Sequence, residues 1–208
     1  MPRDGARRED LNGSADTILE SLRQVTGADN PGELLDEEVL RQAFRALSDA
    51  FDGERGGFGT APKFPTPHNL LFLPERRPFL PGPVRRKLFE ARKAADFVLT
   101  SMRDRDGKLL HRYCDGEAAI PAYDEDYAFL IWALIELYEA TFDSGYLKSA
   151  FAMMDEFIKP YWDDSGGATG EFFQTADDVE ALLVRPRSTY DSALPSANLF
   201  IVYSSAYR

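Results

Sequence analysis

Cysteine is almost missing from this chain: Cys114 stands alone in 208 residues. It cannot form a disulfide within the chain and has no CxxC partner, which excludes a disulfide scaffold and a thiol–disulfide exchange motif. Histidine is scarce too. His68 and His111 are the two present, and with one distant cysteine they make no zinc-binding spacing, so no metal is expected. Long apolar runs are absent. The longest, Tyr127 to Ile135, falls well short of the ~20 residues that span a bilayer. The first ten residues carry Arg3, Asp4, Arg7, Arg8, Glu9 and Asp10 with no apolar run behind them. They do not read as a secretory signal, and a cytoplasmic location is expected. Positive charge is in deficit, with 24 Lys and Arg against 35 Asp and Glu and a formal net charge of −11. Such a field repels phosphate and anionic lipid, so neither nucleic acid nor membrane is expected as a partner. No phosphate-loop or dinucleotide glycine motif occurs, and no cofactor is implied.

What is present suffices for one core: 44% of residues are hydrophobic and 12% aromatic. The periodicity places a partly ordered N-terminal segment over residues 1–35, with a short helix from Asp16 to Val25. A single folded domain is expected over 36–208. Asp36 reads as the N-cap of a helix ending near Phe51, with Val39, Leu40, Ala43, Phe44 and Leu47 along one face. Four glycines between Gly53 and Gly59 then break the chain. Four prolines between Pro74 and Pro83 break it again. Pro83 suits the first turn of a helix running to about Arg103. Leu109, Leu110 and Tyr113 predict brief strands around a turn at Asp115-Gly116.

The next helix, Tyr123 to Thr141, is apolar nearly all round, which predicts burial on all sides. Its follower, Tyr146 to Tyr161, has one wet face made by Lys148, Asp155, Glu156 and Lys159. A final helix is expected to open at Pro195-Ser196 and run to Arg208. Asp52…Gly56-Gly57-Phe58 and Asp163…Gly166-Gly167…Phe172 form a loose internal echo. A buried helix followed by a one-sided helix, joined through structured loops, predicts helical hairpins stacked in two layers.

Three blocks carry a family resemblance: FDGERGGFGTAPKFPTPHNLLF (Phe51 to Phe72), IPAYDEDYAFLIWALIELYEATFD (Ile120 to Asp143) and LLVRPRSTYDSALPSAN (Leu182 to Asn198). In this order they resemble the thioredoxin-domain proteins that carry a C-terminal α/α barrel, the spermatogenesis-associated thioredoxin-like proteins among them. The resemblance implies a mainly α fold, an incomplete α/α toroid of helical hairpins with Gly-rich loops. It is related to the six-hairpin glycosidase and sugar-epimerase barrels. Departures are clear. No thioredoxin-like domain or redox cysteine motif accompanies the blocks. Leu73 leads almost directly into Arg85 to Arg92, and that piece joins Lys93 to Leu99, where relatives carry a longer helical stretch. The expectation is therefore a shortened relative that lacks the middle of the barrel and ends one helix into its last hairpin.

In such toroids a pocket forms where loops meet the N-termini of inner helices. Asp124 and Asp126, at the start of the buried helix, are the candidate acid and base. The same carboxylates, with Glu125, also complement a helix macrodipole and cap free N–H groups. Candidate substrate-binding residues are Lys63 and Phe64 in the proline-flanked loop, Tyr127 one turn into the helix, and Arg185, Tyr190 and Asp191 before the last helix. Lys63 and Phe64 equally suit a loop anchored in the core, and Arg185 and Asp191 an ordinary surface pair. His68 and His111, isolated in loop-like contexts, are set aside as catalysts. The function expected is carbohydrate-related, sugar binding or glycoside- or epimerase-type chemistry on a small carbohydrate, weak or lost in the shortened chain. The alternative is a non-catalytic helical interaction module that self-associates as a homo-oligomer through exposed apolar helix faces. A redox role has no residues to perform it.

Overall fold

The computed structural model describes residues 15, 17–21, 36–72, 84–163, 170–179, 183–187, 190, 195–199 and 201. The chain divides into two units, Met1–Glu38 and Val39–Arg208. In the first, residues 17–21 are helical, and Ile18 and Leu19 are exposed rather than packed on a face. Asp36 accepts a hydrogen bond from the Glu38 backbone N–H at 2.9 Å, the N-cap its position predicts.

Helix α1 spans Glu37–Ala50, α2 Pro67–Phe72 and α3 Val84–Ser101. The antiparallel strands β1 (Leu110–Cys114) and β2 (Glu117–Pro121) follow, then α4 (Asp124–Thr141) and α5 (Ser144–Tyr161). The hairpin turns at Asp115 and Gly116, both at positive φ, as the Asp-Gly dipeptide predicts. Residues 197–199 and 201 are helical, at the start of the expected last helix. The proline zone 74–83 and the Gly166-Gly167 pair lie outside the described residues.

Helix α4 is the centre of the core. Leu130, Ile131, Leu134, Ile135 and Leu137 are all but sealed from solvent. α4 packs on α2, α3 and α5, and α5 contributes Met154, Phe157 and Tyr161. At about 25 cal/mol per Å² of apolar surface, each of these large side chains stabilises the fold by roughly 1.5–3 kcal/mol. The outer helices α3 and α5 keep a broad polar face, while α4 keeps only a narrow strip at Glu125, Glu136 and Glu139. This is the inner-and-outer arrangement that periodicity predicts. Among the described residues, large apolar side chains are left exposed off this core, Phe89 on α3 and Phe142 after α4 among them.

The helix exits share a device. After α1, the Asp52 carboxylate accepts the N–H groups of Glu54 and Arg55, and Phe51 forms an antiparallel bridge with Phe58. After α3, Asp104 accepts those of Asp106 and Lys108, and Arg103 bridges to Leu109. After α5, Asp163 pairs with Arg187, and Trp162 bridges to Phe172. The Asp52 turn thus recurs at Asp104, which the glycine pattern did not reveal, and the Asp163 segment shares with them the closing bridge. Gly56 supplies the closest approach: a Cβ there would stand 2.7 Å from the Lys93 carbonyl oxygen.

Candidate functional site: a histidine and two carboxylates at the start of α4

Three segments meet at the N-terminus of α4. Lys63 pairs with Tyr113 through both backbone hydrogen bonds, at 2.6 and 2.8 Å, which straps the first glycine loop to β1. That bridge brings the Phe64 ring to 5.1 Å from the His111 ring. Tyr123, the N-cap of α4, also lies against His111, at 5.0 Å. His111 Nδ1 is 2.8 Å from Asp126 Oδ2. The same carboxylate accepts the Tyr123 N–H at 2.9 Å, so Asp126 closes the first turn and holds the imidazole at once.

The chemistry follows from that hydrogen-bond set. A carboxylate can only accept, so Nδ1 of His111 carries a proton and Nε2 is the nitrogen that exchanges one. The bond to Asp126 raises the imidazole pKa, against the burial that lowers it. His111 keeps 29% of its side-chain surface, enough for a ligand to reach. This carboxylate–imidazole pair can take and return a proton near neutral pH.

Asp124 is different. It is fully buried, its Oδ1 accepts the Glu125 N–H at 2.9 Å, and its Oδ2 has no hydrogen-bond partner. Its backbone N–H donates to the Gln174 carbonyl at 3.0 Å. Burial pushes the carboxyl up to about 7, with the charges of Glu125 and Asp126 adding to the effect. Asp124 thus holds a proton over much of the neutral range while Asp126 accepts hydrogen bonds. Two carboxyls in one helical turn have separate roles set by environment.

The other residues singled out from sequence are placed elsewhere or have partners already. Lys63 is buried, and its ammonium donates to Asp52 at 2.7 Å and to the Gly56 carbonyl at 2.8 Å. It draws the Asp52 carboxyl down to about 2. Tyr127 is buried, and its hydroxyl donates to Glu156 on α5. Arg185 donates to the carbonyls of Thr175 and Pro160 and lies over the Phe173 ring at 4.1 Å. Tyr190 is exposed, and Asp191 lies outside the described residues. Phe64 and Asp126 are the members brought together around His111; Asp124 is sealed behind the same helical turn, tied to Glu125 and Gln174. His68 sits exposed in the first turn of α2. A cavity of about 300 Å³ lies beyond Tyr127, walled by Tyr161, Leu109, Val179 and Glu156. Of the described candidates only Tyr127 lines it.

His111 is the residue sequence reasoning set aside. The signal available was positional. Asp126 stands three residues past the N-cap, where a carboxylate folds back toward the incoming chain. The incoming chain is a hairpin whose first strand carries His111 fifteen residues before it.

This arrangement defines an α/α-toroid architecture with a polar cluster at the N-terminus of an inner helix. The chain is similar in fold to a sugar epimerase from a ruminal bacterium, at 22% identity and a TM-score of 0.51 over 68% of this chain and 40% of that one. It is also similar to cellobiose 2-epimerase from Spirochaeta thermophila, at 20% identity and a TM-score of 0.52 over 81% of this chain and 48% of that one. The expected mainly α, incomplete α/α toroid is borne out. No family model matches the sequence. Spermatogenesis-associated protein 20 from human is 40% identical over 74 residues, which are 36% of this chain and 9% of that protein. The mouse protein is 34% identical over 118 residues, 52% of this chain and 15% of that protein. The resemblance carried by the three sequence blocks is thereby borne out, and the chain spans less than a sixth of the length of these curated relatives. Among the described residues no helix is long and apolar enough to cross a membrane, and no group of His, Cys, Asp and Glu is placed to hold a metal ion.

Proposed function

We propose that the Val39–Arg208 unit binds a small carbohydrate at the start of α4, with His111 as the proton-transfer group. Asp126 orients the imidazole, and Phe64 and Tyr123 receive the sugar ring. One observation carries this reading: a part-exposed histidine, paired to a buried carboxylate, lies in contact with two part-exposed aromatic rings. Sugars present C–H faces to aromatic rings and hydroxyls to polar groups, and this cluster offers both. The neighbouring folds are named as sugar epimerases, which favours a carbohydrate over other ring-shaped ligands by analogy. Epimerase-type chemistry needs one group to take a proton and another to give one, and His111 is the accessible proton-exchanging group of this cluster. Turnover by this chain is a separate question from binding, because it matches under half the length of either epimerase chain.

The test is a titration of the purified chain with D-glucose and cellobiose, following the imidazole resonances of His111 by NMR. Saturable shifts that Phe64→Ala and Tyr123→Ala each weaken are expected. Unmoved His111 resonances at saturating sugar would sink the reading. Solvent deuterium appearing at carbon 2 of the sugar would add turnover to binding. The second reading, an interaction module, has one observation in its favour: Leu183, Val184 and Tyr190 are large side chains left well exposed. A concentration-dependent mass in light scattering would support it.

A further inference from the structure

Ile120 occupies a backbone conformation that its side chain resists. Its φ is +68°, and a β-branched residue there is a true outlier. Among the described residues, Thr66, Asp115 and Phe142 are the other non-glycines at positive φ. Asp115 sits in the hairpin turn and Phe142 caps the C-terminus of α4, where the left-handed region is ordinary. Ile120 has neither excuse, being inside β2. Its position is directly across from His111. Leu110 pairs with Pro121 and Arg112 with Ala119, and the His111–Ile120 pair that this register calls for is missing from the ladder. Glycine or asparagine would adopt the same backbone without strain. The core does not demand isoleucine either, because the residue is 43% exposed.

We propose that Ile120 is a specificity-determining residue, held against backbone preference as a third apolar wall beside His111. Phe64 and Tyr123, 41% and 36% exposed, are the other two. Strain at a site is retained where the side chain has work to do there. The inference rests on the carbohydrate reading above and narrows it. Apolar walls on several sides of one polar centre suit a pyranose whose hydroxyls are all equatorial, since only then are both ring faces bare C–H. An axial hydroxyl would be pressed against hydrocarbon and lose its hydrogen bond to water.

The experiment compares wild type, Ile120→Asn and Ile120→Val in thermal melts and in NMR titrations with D-glucose and D-galactose, which differ by one axial hydroxyl. Wild type is expected to prefer glucose. Ile120→Asn is expected to melt about 3 °C higher as strain is released. It should bind glucose about fivefold more weakly, with a narrowed preference over galactose. Ile120→Val, which keeps the branch, should match wild type in both. An asparagine variant that binds glucose as wild type does, or that melts lower, overturns the assignment of Ile120 alone. A cooperatively folded wild type that binds neither sugar overturns the carbohydrate reading and this inference together.

Discussion

Replacing Asp124 by asparagine should make the protein more stable at neutral pH and above. The reasoning starts from burial: the carboxyl is sealed from water, and its Oδ2 has no partner to compensate a charge. Its pKa is pushed from 3.8 to about 7 in the folded state. Below pH 4 both folded and unfolded chains hold the proton, and the group is neutral in the balance. Between pH 4 and 7 the unfolded chain releases its proton while the folded chain retains it. Each pH unit then costs about 1.4 kcal/mol of stability, and the loss levels off near 4 kcal/mol once the folded carboxyl also ionises. Asparagine cannot titrate, and its amide oxygen can still accept the Glu125 N–H. The opposing effect, loss of a negative charge at a helix N-terminus, is worth only about 0.3–1 kcal/mol. Urea unfolding of both proteins from pH 4 to 8.5 reads the difference directly. Asp124→Asn should lead by about 3–4 kcal/mol at pH 8, and the lead should close toward pH 4. A pH-independent difference, or a variant weaker than wild type at pH 8, would refute the claim that Asp124 is held neutral by burial.

Two further outcomes follow from the same structure. Asp126→Asn should lower the His111 pKa, read by NMR titration, because the carboxylate that raises it is gone. Its cost in stability should be present below pH 6.5 and fade as pH rises through the raised value of the wild-type histidine. Gly56→Ala should cost more than about 2 kcal/mol in a thermal melt, since the new Cβ meets the Phe97 Cβ at 2.9 Å as well as the Lys93 carbonyl. Gly59→Ala, also at positive φ but with nothing within 4 Å, should cost only about 1 kcal/mol.

Much of this fold was legible because its signals are local. Asp36 capping α1, the Asp115-Gly116 turn and the nearly all-round apolar surface of α4 each depend on residues within one element. Helix α2 escaped because Pro67–Phe72 is too short for a period to register, and prolines flank it. The candidate site was half legible. Helix N-terminal carboxylates advertise themselves, so Asp124 and Asp126 could be named. Which of them would be sealed from water, and which would meet a histidine, depends on how the hairpin docks, and no spacing encodes that. Lys63 illustrates the reverse error. A lysine in a proline-flanked loop suggests a ligand contact, yet Asp52, eleven residues earlier, takes the ammonium. Arg185 likewise ties down backbone carbonyls that only the tertiary fold brings near.

The aspartate turns at the exits of α1 and α3 also bear on how the chain finds its fold. Their closing bridges join residues only seven and six positions apart, where the entropy of joining the ends is small. Each of these helices therefore carries its own reversal signal, satisfied before any distant segment arrives. Folding can then advance one hairpin at a time, each finished turn delivering the next inner helix to a partner already waiting.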